Sequence, residues 1–367
     1  MPLPHDYLNR IAARLGPGMR EAFLRSVEGL RAGADPERIA ALLEASDVDG
    51  VIEVLGLRDP AWLNRFRVAV AEVFVAGGKE THAGLAQVIA DAIAEDALPA
   101  AAENRIAVAF GVRNLPAEKA LRDYDLSLIR EIDDNTVEGI RAALTRGMET
   151  GRNPRQVALD LCGRIGADGL REGGILALTA IQAGHVENAR TELASADPAM
   201  LRRFLGRELR DRRYDAAVLR AINAGTALPD AVQEKVGNAY ANAFLRYRAE
   251  TVARTEALRA ASVGQEAALR NAVATGALEA GSIRSFWIDT DDDRTRPAHR
   301  EIPGMNPDGR VLGEPFDTPL GPMLYPRDPA GTAENVIGCR CWRQVRIGGN
   351  GNKWLGMLDE PRPDPPE

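Results

Sequence analysis

The chain has 367 residues, of which 45% are hydrophobic and 5% aromatic, and its net charge is −7. This length suits about two domains, and the acidic balance argues against a protein whose whole surface binds nucleic acid. Three cysteines give no even disulfide framework, no apolar run approaches the ~20 residues of a membrane span, and no signal-peptide pattern is visible. We therefore expect a protein made in a reducing cytosol, with no membrane segment.

Residues 1–247 predict an elongated helical body. Asp35-Pro36 and Asn153-Pro154 each mark a helix start, because Asp or Asn caps the helix and proline fits its first turn. Apolar residues recur at three- and four-residue spacing through this region, as on the buried face of a helix. A break near 111–120 divides the predicted body into two subdomains.

One helix of this body carries apolar residues at four-residue spacing from Trp62 to Phe74. The pair Gly77-Gly78 follows, and glycine is unfavourable inside a helix because it loses more backbone freedom than other residues. We therefore predict that this helix ends at the pair.

Residues 202–220 hold a cluster of arginines that has two interpretations. The functional one is a face that contacts DNA phosphates. Acidic residues at 208, 211 and 215 interleave with the arginines, so a solvated, salt-bridged surface is the more common alternative. The arginines that would contact double-stranded DNA are Arg202, Arg203, Arg207 and Arg210.

Residues 248–347 predict a small α+β C-terminal module. A long helix begins at Pro229 and reaches about Thr275, so the module's first helix is 248–275. Residues 285–290 then alternate as in a strand, and short extended pieces follow around 310–312 and 340–347. The Pro- and acid-rich residues 348–367 predict a disordered tail. The predicted fold is therefore mainly α, with the small module near its end.

His299, Cys339 and Cys341 form the clearest metal-binding pattern in the sequence. Thiolate and imidazole groups suit zinc, and the cysteines of a Cys-x-Cys pair can approach one ion. Zinc requires four ligands, so the fourth would come from Asp291, Asp293 or water. The alternative is that both cysteines pack on one face of a strand and that His299 is a hydrogen-bonded structural residue.

The acidic run at 289–293 is a weaker candidate for a cation site. Carboxylates bind hard cations, but the glycine and distal glutamate of an EF-hand loop are missing. A charged turn, with Asp capping the backbone and pairing with Arg294 and Arg296, is the favoured interpretation. No nucleophile motif or phosphate-binding loop accompanies His299, so the sequence does not predict an enzyme.

An ordered series of residues near the C-terminus resembles a known family. It includes the segments 249–256 and 325–329, and the likeness is strongest over 248–345, with a weaker likeness over 120–165. The series is similar to the minor head, or head morphogenesis, proteins of tailed bacteriophages, the phage Mu F-like family, except that Gly338 stands where that family usually has Asn. Its single residues are Arg254, Glu256, Trp287, Asp293, Arg294, Arg296, His299, Cys339 and Cys341.

The resemblance implies a protein of the virion that is incorporated at low copy with the portal into the procapsid. Its partners would be the portal protein, the inner capsid surface and packaged double-stranded DNA, and it would aid DNA packaging or exit. Assembly would take place in the host cytoplasm. Two alternatives stay open: the C-terminal module is a metal-dependent hydrolase or nuclease carried in the particle, or the series is purely a folding device.

Overall fold

The computed structural model describes residues 3–4, 6–106, 115–166, 169–348 and 354–358. Within these ranges the predicted class is confirmed, because helices dominate and the larger sheet lies near the C-terminus. The helices are α1 (Tyr7–Gly33), α2 (Pro36–Glu44), α3 (Val48–Val54), α4 (Asn64–Ala94), α5 (Ala101–Ile106), α6 (Leu115–Glu149), α7 (Pro154–Cys162), α8 (Ala180–Ala194), α9 (Pro198–Leu205), α10 (Asp215–Ala224), α11 (Asp230–Ala274), α12 (Pro297–Met305) and α13 (Ala333–Val336). The strands are β1 (Arg164–Ile165), β2 (Arg171–Glu172), β3 (Ile283–Ile288), β4 (Arg310–Val311), β5 (Trp342–Gly348) and β6 (Trp354–Met357).

The chain divides into two compact units, and neither is continuous in sequence. The first unit combines residues 1–19, 67–127 and 252–367, and the second combines 20–66 and 128–251. The predicted body at 1–247 and module at 248–347 are continuous segments, whereas each unit combines segments that are remote in sequence. Both divisions cut α11, after residue 247 in the prediction and after residue 251 in the structure. Of the predicted break at 111–120, residues 111–114 lie outside the described residues, and α6 begins at Leu115.

The two helix starts marked by proline are confirmed. The Oδ1 atom of Asp35 accepts hydrogen bonds from the backbone N–H groups of residues 37 and 38 at the start of α2. The side chain of Asn153 accepts from residues 155 and 156 at the start of α7 in the same way. Local sequence therefore determines both starts. No helix in the described part of the chain is long and apolar enough to cross a membrane.

The predicted helix end at Gly77-Gly78 is wrong, because α4 runs through both residues. In the first unit, a close crossing of α4 and α11 explains Gly77. A Cβ atom added to Gly77 would lie 2.5 Å from the carbonyl oxygen of Ala261, and one added to Gly264 would lie 2.2 Å from that of Phe74. Glycine is present here because the two backbones approach too closely for any side chain.

Replacing Gly264 with alanine is therefore expected to lower the free energy of unfolding by about 2–3 kcal/mol, because overpacking forces backbone shifts. The matched control is Gly29→Ala in α1, where a new Cβ meets nothing within 4 Å. This control should raise stability by up to about 1 kcal/mol, the helix preference of alanine over glycine. Chemical denaturation of both variants checks the contrast, and equal effects would contradict the crossing.

An antiparallel four-stranded sheet forms the base of the C-terminal region, in the order β4-β3-β5-β6. β3 and β5 are neighbours, with Trp287 opposite Arg343 and Ile288 opposite Trp342. Buried side chains of the sheet pack with α4, α5 and α11 in one apolar core of the first unit. The core includes Leu85, Ile89, Leu269, Ile283, Val345 and Ile347.

The predicted tail at 348–367 begins too early. Gly348 belongs to β5, residues 354–357 form β6 at the edge of the sheet, and Leu358 is fully buried. The N–H of Leu358 donates to Val345 and its carbonyl accepts from Leu3. A short strand of mixed composition gives little periodic signal, so sequence reasoning missed it. The other residues of the predicted tail lie outside the described residues.

In the second unit, the half-buried carboxyl of Asp133 accepts a hydrogen bond of 2.9 Å from the indole N–H of Trp62. Burial, opposed by that bond, raises the pKa of Asp133 from 3.8 to about 6. The folded state therefore binds this proton more tightly than the unfolded state does. Stability from this group is greatest below about pH 4 and is lost as the pH rises through 6.

Replacing Asp133 with asparagine keeps an acceptor for Trp62 and removes the charge. We expect a gain of about 1 kcal/mol in unfolding free energy at pH 8, the pKa shift discounted for solvent screening. At pH 4 the gain should vanish, because the parent carboxyl is then protonated in the folded protein. Thermal unfolding at both pH values tests this, and a gain that does not depend on pH would contradict it.

Candidate metal centre

Three buried side chains of the first unit meet at one point. His299 lies in α12, and Cys339 and Cys341 lie in the segment directly before β5. The Nδ1 atom of His299 is 3.6 Å from the Sγ atom of Cys339 and 3.3 Å from that of Cys341. The three potential ligand atoms lie within 4.8 Å of one another, and each residue is 2% exposed. The set predicted from sequence is therefore brought together.

Hydrogen bonds orient the imidazole of His299 and determine which nitrogen carries the proton. The hydroxyl of Thr318 donates to the carbonyl of Gly321, so its oxygen accepts from the side-chain amide of Asn335 at 3.2 Å. The amide oxygen of Asn335 therefore faces Nε2 of His299, 3.0 Å away. In neutral His299, Nε2 then donates and the lone pair of Nδ1 faces both sulfur atoms. Ligands of metal ions are commonly oriented in this manner.

The measured separations fit a tetrahedral metal ion. Zn–N bonds of about 2.05 Å and Zn–S bonds of about 2.3 Å place nitrogen and sulfur roughly 3.5 Å apart. The observed 3.6 Å and 3.3 Å lie on either side of this value. The cluster could therefore hold a metal ion with little movement of its ligands. The described residues add no carboxylate to it, so Asp291 and Asp293 are not the fourth ligand.

The two buried thiols shift each other's pKa in opposite directions. The pKa of Cys339 is lowered well below its usual range, first by the hydrogen bond with Cys341, then by that with His299 and by the positive charge of Arg327. The pKa of Cys341 is raised, mainly because its proton is held in the hydrogen bond with Cys339. The indole N–H of Trp287 and the positive charge of Arg327 act in the opposite direction and lower the pKa of Cys341 in part.

Arg327 is fully buried beside the two cysteines, and sequence reasoning missed it. Its Nε and Nη2 atoms donate to the hydroxyl of Ser262 at 3.2 Å and 3.0 Å, and Nη1 donates to the carbonyl of Cys341 at 2.5 Å. Burial lowers the pKa of Arg327, and the charges that oppose this effect come from the cysteines. No sequence motif marks a buried arginine, because its environment is created by α11 and the segment before β5.

Arg340, the residue between the two cysteines, forms an ion pair beside the cluster. The guanidinium of Arg340 pairs with the carboxylate of Asp292, whose Oδ1 atom also accepts from the backbone of Arg294 and the hydroxyl of Thr295. This pairing holds the pKa of Asp292 well below its usual range. The predicted capped turn is therefore present, but its partner is Arg340 and not Arg294 or Arg296. The Asp-x-x-Thr spacing was the available signal.

The other residues of the series have structural roles or lie at the surface. The Arg296 side chain donates to the carbonyl of Ile337. Glu256 is buried and accepts from the hydroxyl of Tyr124 at 2.6 Å and from Arg259 of the same helix at 3.0 Å. The exposed members are Arg254, Asp293 and Arg294.

The predicted DNA-contacting arginines of the second unit do not form one free cationic face. Arg207 donates to both carboxylate oxygens of Glu192 at 2.7 Å and 2.9 Å, and Arg210 does the same to Asp215 at 3.0 Å and 3.1 Å. The salt-bridged alternative therefore applies to these two. Arg202 and Arg203 are exposed on α9.

Comparisons of this chain with protein families, curated proteins and solved structures find no match. The burial of the cluster is thus the main guide to its chemistry. A catalytic zinc site keeps one position open to water or substrate, whereas a structural site is closed. Ligands that are 2% exposed suit a structural site.

Proposed function

We propose that this chain is a minor head protein of a tailed bacteriophage, a structural component that joins the procapsid with the portal. The support is the ordered series over 248–345 that resembles the Mu F-like family. In the fold, His299, Cys339 and Cys341 meet, and Arg340 and Asp292 join the same segments beside them. From residue 252 onward the series lies within the first unit, which supports a shared structural role for its residues.

We further propose that the cluster binds zinc. Two thiolates and one imidazole are the donors zinc prefers, and the tetrahedral spacing supports this choice. The ion would link α12 to the segment before β5. His299 and Cys339, its ligands from these two elements, are 40 residues apart in the chain. The folded chain assembles the ligands and the unfolded chain does not, so binding of the ion would contribute directly to the stability of the C-terminal region. Water remains as the fourth ligand, and the burial of the three protein ligands would enclose it away from any substrate.

The hydrolase or nuclease alternative is less well supported. A reacting water or phosphate needs access to the metal, and a general base must lie within hydrogen-bond reach of it. The three ligands are almost completely buried, and the described carboxylates lie outside the cluster. We therefore assign the site a structural role.

Quantitative mass spectrometry of gradient-purified particles tests the proposed function. A few copies per DNA-filled particle, in constant ratio to the portal protein, are the expected result. Procapsids that lack DNA should contain the same number, because incorporation precedes packaging. Absence of the chain from both procapsids and filled particles would overturn the proposal.

A DNA contact would rest on the exposed arginines of α9. Replacing Arg202 and Arg203 with glutamine should weaken binding of a short DNA duplex about tenfold and lower the salt dependence, since each lost phosphate contact reduces counterion release. The control exchanges Arg14 and Arg58, which are also exposed. Fluorescence anisotropy at several salt concentrations measures both pairs, and equal losses would contradict a specific face.

A further inference from the structure

A second site lies in the first unit, away from the three metal-binding side chains. A cavity of about 470 Å³ is bounded by α6, α11 and the segment at 324–330, which belongs to the series singled out in the sequence. Its size falls within the range of ligand pockets in proteins. The lining combines two aromatic rings with small or aliphatic residues: Tyr124, Tyr325, Ala120, Val263, Ala267 and Pro329.

One polar atom of this cavity has no partner. The hydroxyl of Tyr124 is used by Glu256, but among the described residues the hydroxyl of Tyr325 makes no hydrogen bond. Tyr325 is only 5% exposed, and the guanidinium of Arg343 lies 5.0 Å from its ring centre and fixes the ring. Burial, Asp328 and Glu266 raise its pKa, so the phenol stays protonated. The hydroxyl is not among the fully buried polar atoms that lack a partner, so it is accessible from the cavity and free to donate to a bound acceptor.

The charged residues of the lining are already engaged. Asp123 pairs with Lys119 and Glu266 with Arg270. The two oxygens of Asp328 accept from the backbone N–H groups of Leu324 and Ala330. A charged metabolite would find no free counter-charge here. An uncharged ligand with an aromatic ring and a neutral hydrogen-bond acceptor fits this cavity. The ring would pack against the apolar lining, and the acceptor would face the Tyr325 hydroxyl.

We propose that this cavity is a docking site for an aromatic side chain of a partner polypeptide, with the Tyr325 hydroxyl donating to a backbone carbonyl beside that side chain. A polypeptide offers this neutral combination of ring and carbonyl at every aromatic residue. Contacts between the partner's aromatic ring and the rings of Tyr124 and Tyr325 would stabilise the complex further, beyond the gain from burying apolar surface. The site is independent of the metal centre and of the proposed place of the protein in a phage head.

The test titrates the full-length protein with N-acetyl-L-phenylalanine amide, followed by two-dimensional NMR. Saturable shifts at residues of the cavity are expected, with much weaker binding of N-acetyl-L-alanine amide, which lacks the ring. Free L-phenylalanine should also bind weakly because both its charges are unmatched. Equal binding of the free amino acid would overturn the polypeptide assignment in favour of a metabolite site.

Two variants make the site falsifiable. Tyr325→Phe should weaken binding of the probe about fivefold to tenfold, because one hydrogen bond is lost. Thermal stability should stay unchanged, because the hydroxyl has no protein partner among the described residues. Ala267→Leu should abolish binding by filling the cavity. Tyr247→Phe, which alters an exposed tyrosine of α11 in the second unit, is the matched control. No saturable binding to the parent, or unaltered binding to Ala267→Leu, would overturn the proposal.

Discussion

Replacing His299 with alanine is expected to abolish the proposed zinc binding and to lower the free energy of unfolding by about 4 kcal/mol. Loss of a structural metal is among the few changes with effects of this size. The variant also leaves the amide oxygen of Asn335 without its donor. It removes the imidazole that lies beside the two buried thiols. Elemental analysis and denaturant unfolding of the same preparation measure the two effects together.

The control for this variant is His185→Ala, because His185 is an exposed histidine of the second unit. Cys162→Ala is a second control, because it removes a buried thiol that lies outside the cluster. Both controls should keep the zinc content of the parent protein, and His185→Ala should also keep its stability. A parent protein without zinc, destabilised by about 1–3 kcal/mol on losing His299, would indicate the pure folding device instead. Unchanged stability would count against both interpretations.

Replacing Glu266 with glutamine is expected to cost about 3–5 kcal/mol of unfolding free energy. The carboxylate of Glu266 is 8% exposed and accepts from Arg343 at 2.6 Å and from Arg270 at 2.6 Å. Arg343 is only 2% exposed, so its charge would remain buried without a counter-charge. Removal of one partner of a buried ion pair is strongly destabilising for this reason.

The same helix supplies the control for the Glu266 prediction. Glu250 also pairs with an arginine, Arg20, but the two side chains are 63% and 48% exposed. Glu250→Gln should therefore change stability by less than about 0.5 kcal/mol, as surface ion pairs contribute little. Denaturant unfolding of both variants gives the comparison. Equal effects would show that burial does not determine the strength of these pairs.

Local sequence was sufficient wherever one short segment determines its own structure. The starts of α2 and α7 could be predicted because Asp35 and Asn153 satisfy backbone N–H groups only two or three residues away. β3 could be located within about two residues because alternation is a property of the strand itself. His299, Cys339 and Cys341 stood out because few other side chains bind metals so well.

The surroundings of the metal centre could not be predicted in the same way. The role of Asn335 depends on Thr318 and His299, which are 17 and 36 residues away from it in the chain. Arg327 is recognisable only when Ser262 and Cys341 are placed beside it. Each of these residues has many ordinary partners in other proteins, so its type alone carries no signal.

The sequence by itself determined the helix starts, the mainly α class and the three residues of the candidate metal centre, because these follow from local hydrogen bonding, periodicity and ligand chemistry. Only the tertiary structure decided that Gly77 and Gly264 mark a helix crossing and that Asp292 pairs with Arg340. It also decided that Arg207 and Arg210 are bound to carboxylates of their own unit. The physical reason is that close packing and charge pairing depend on distances between segments that are remote in sequence.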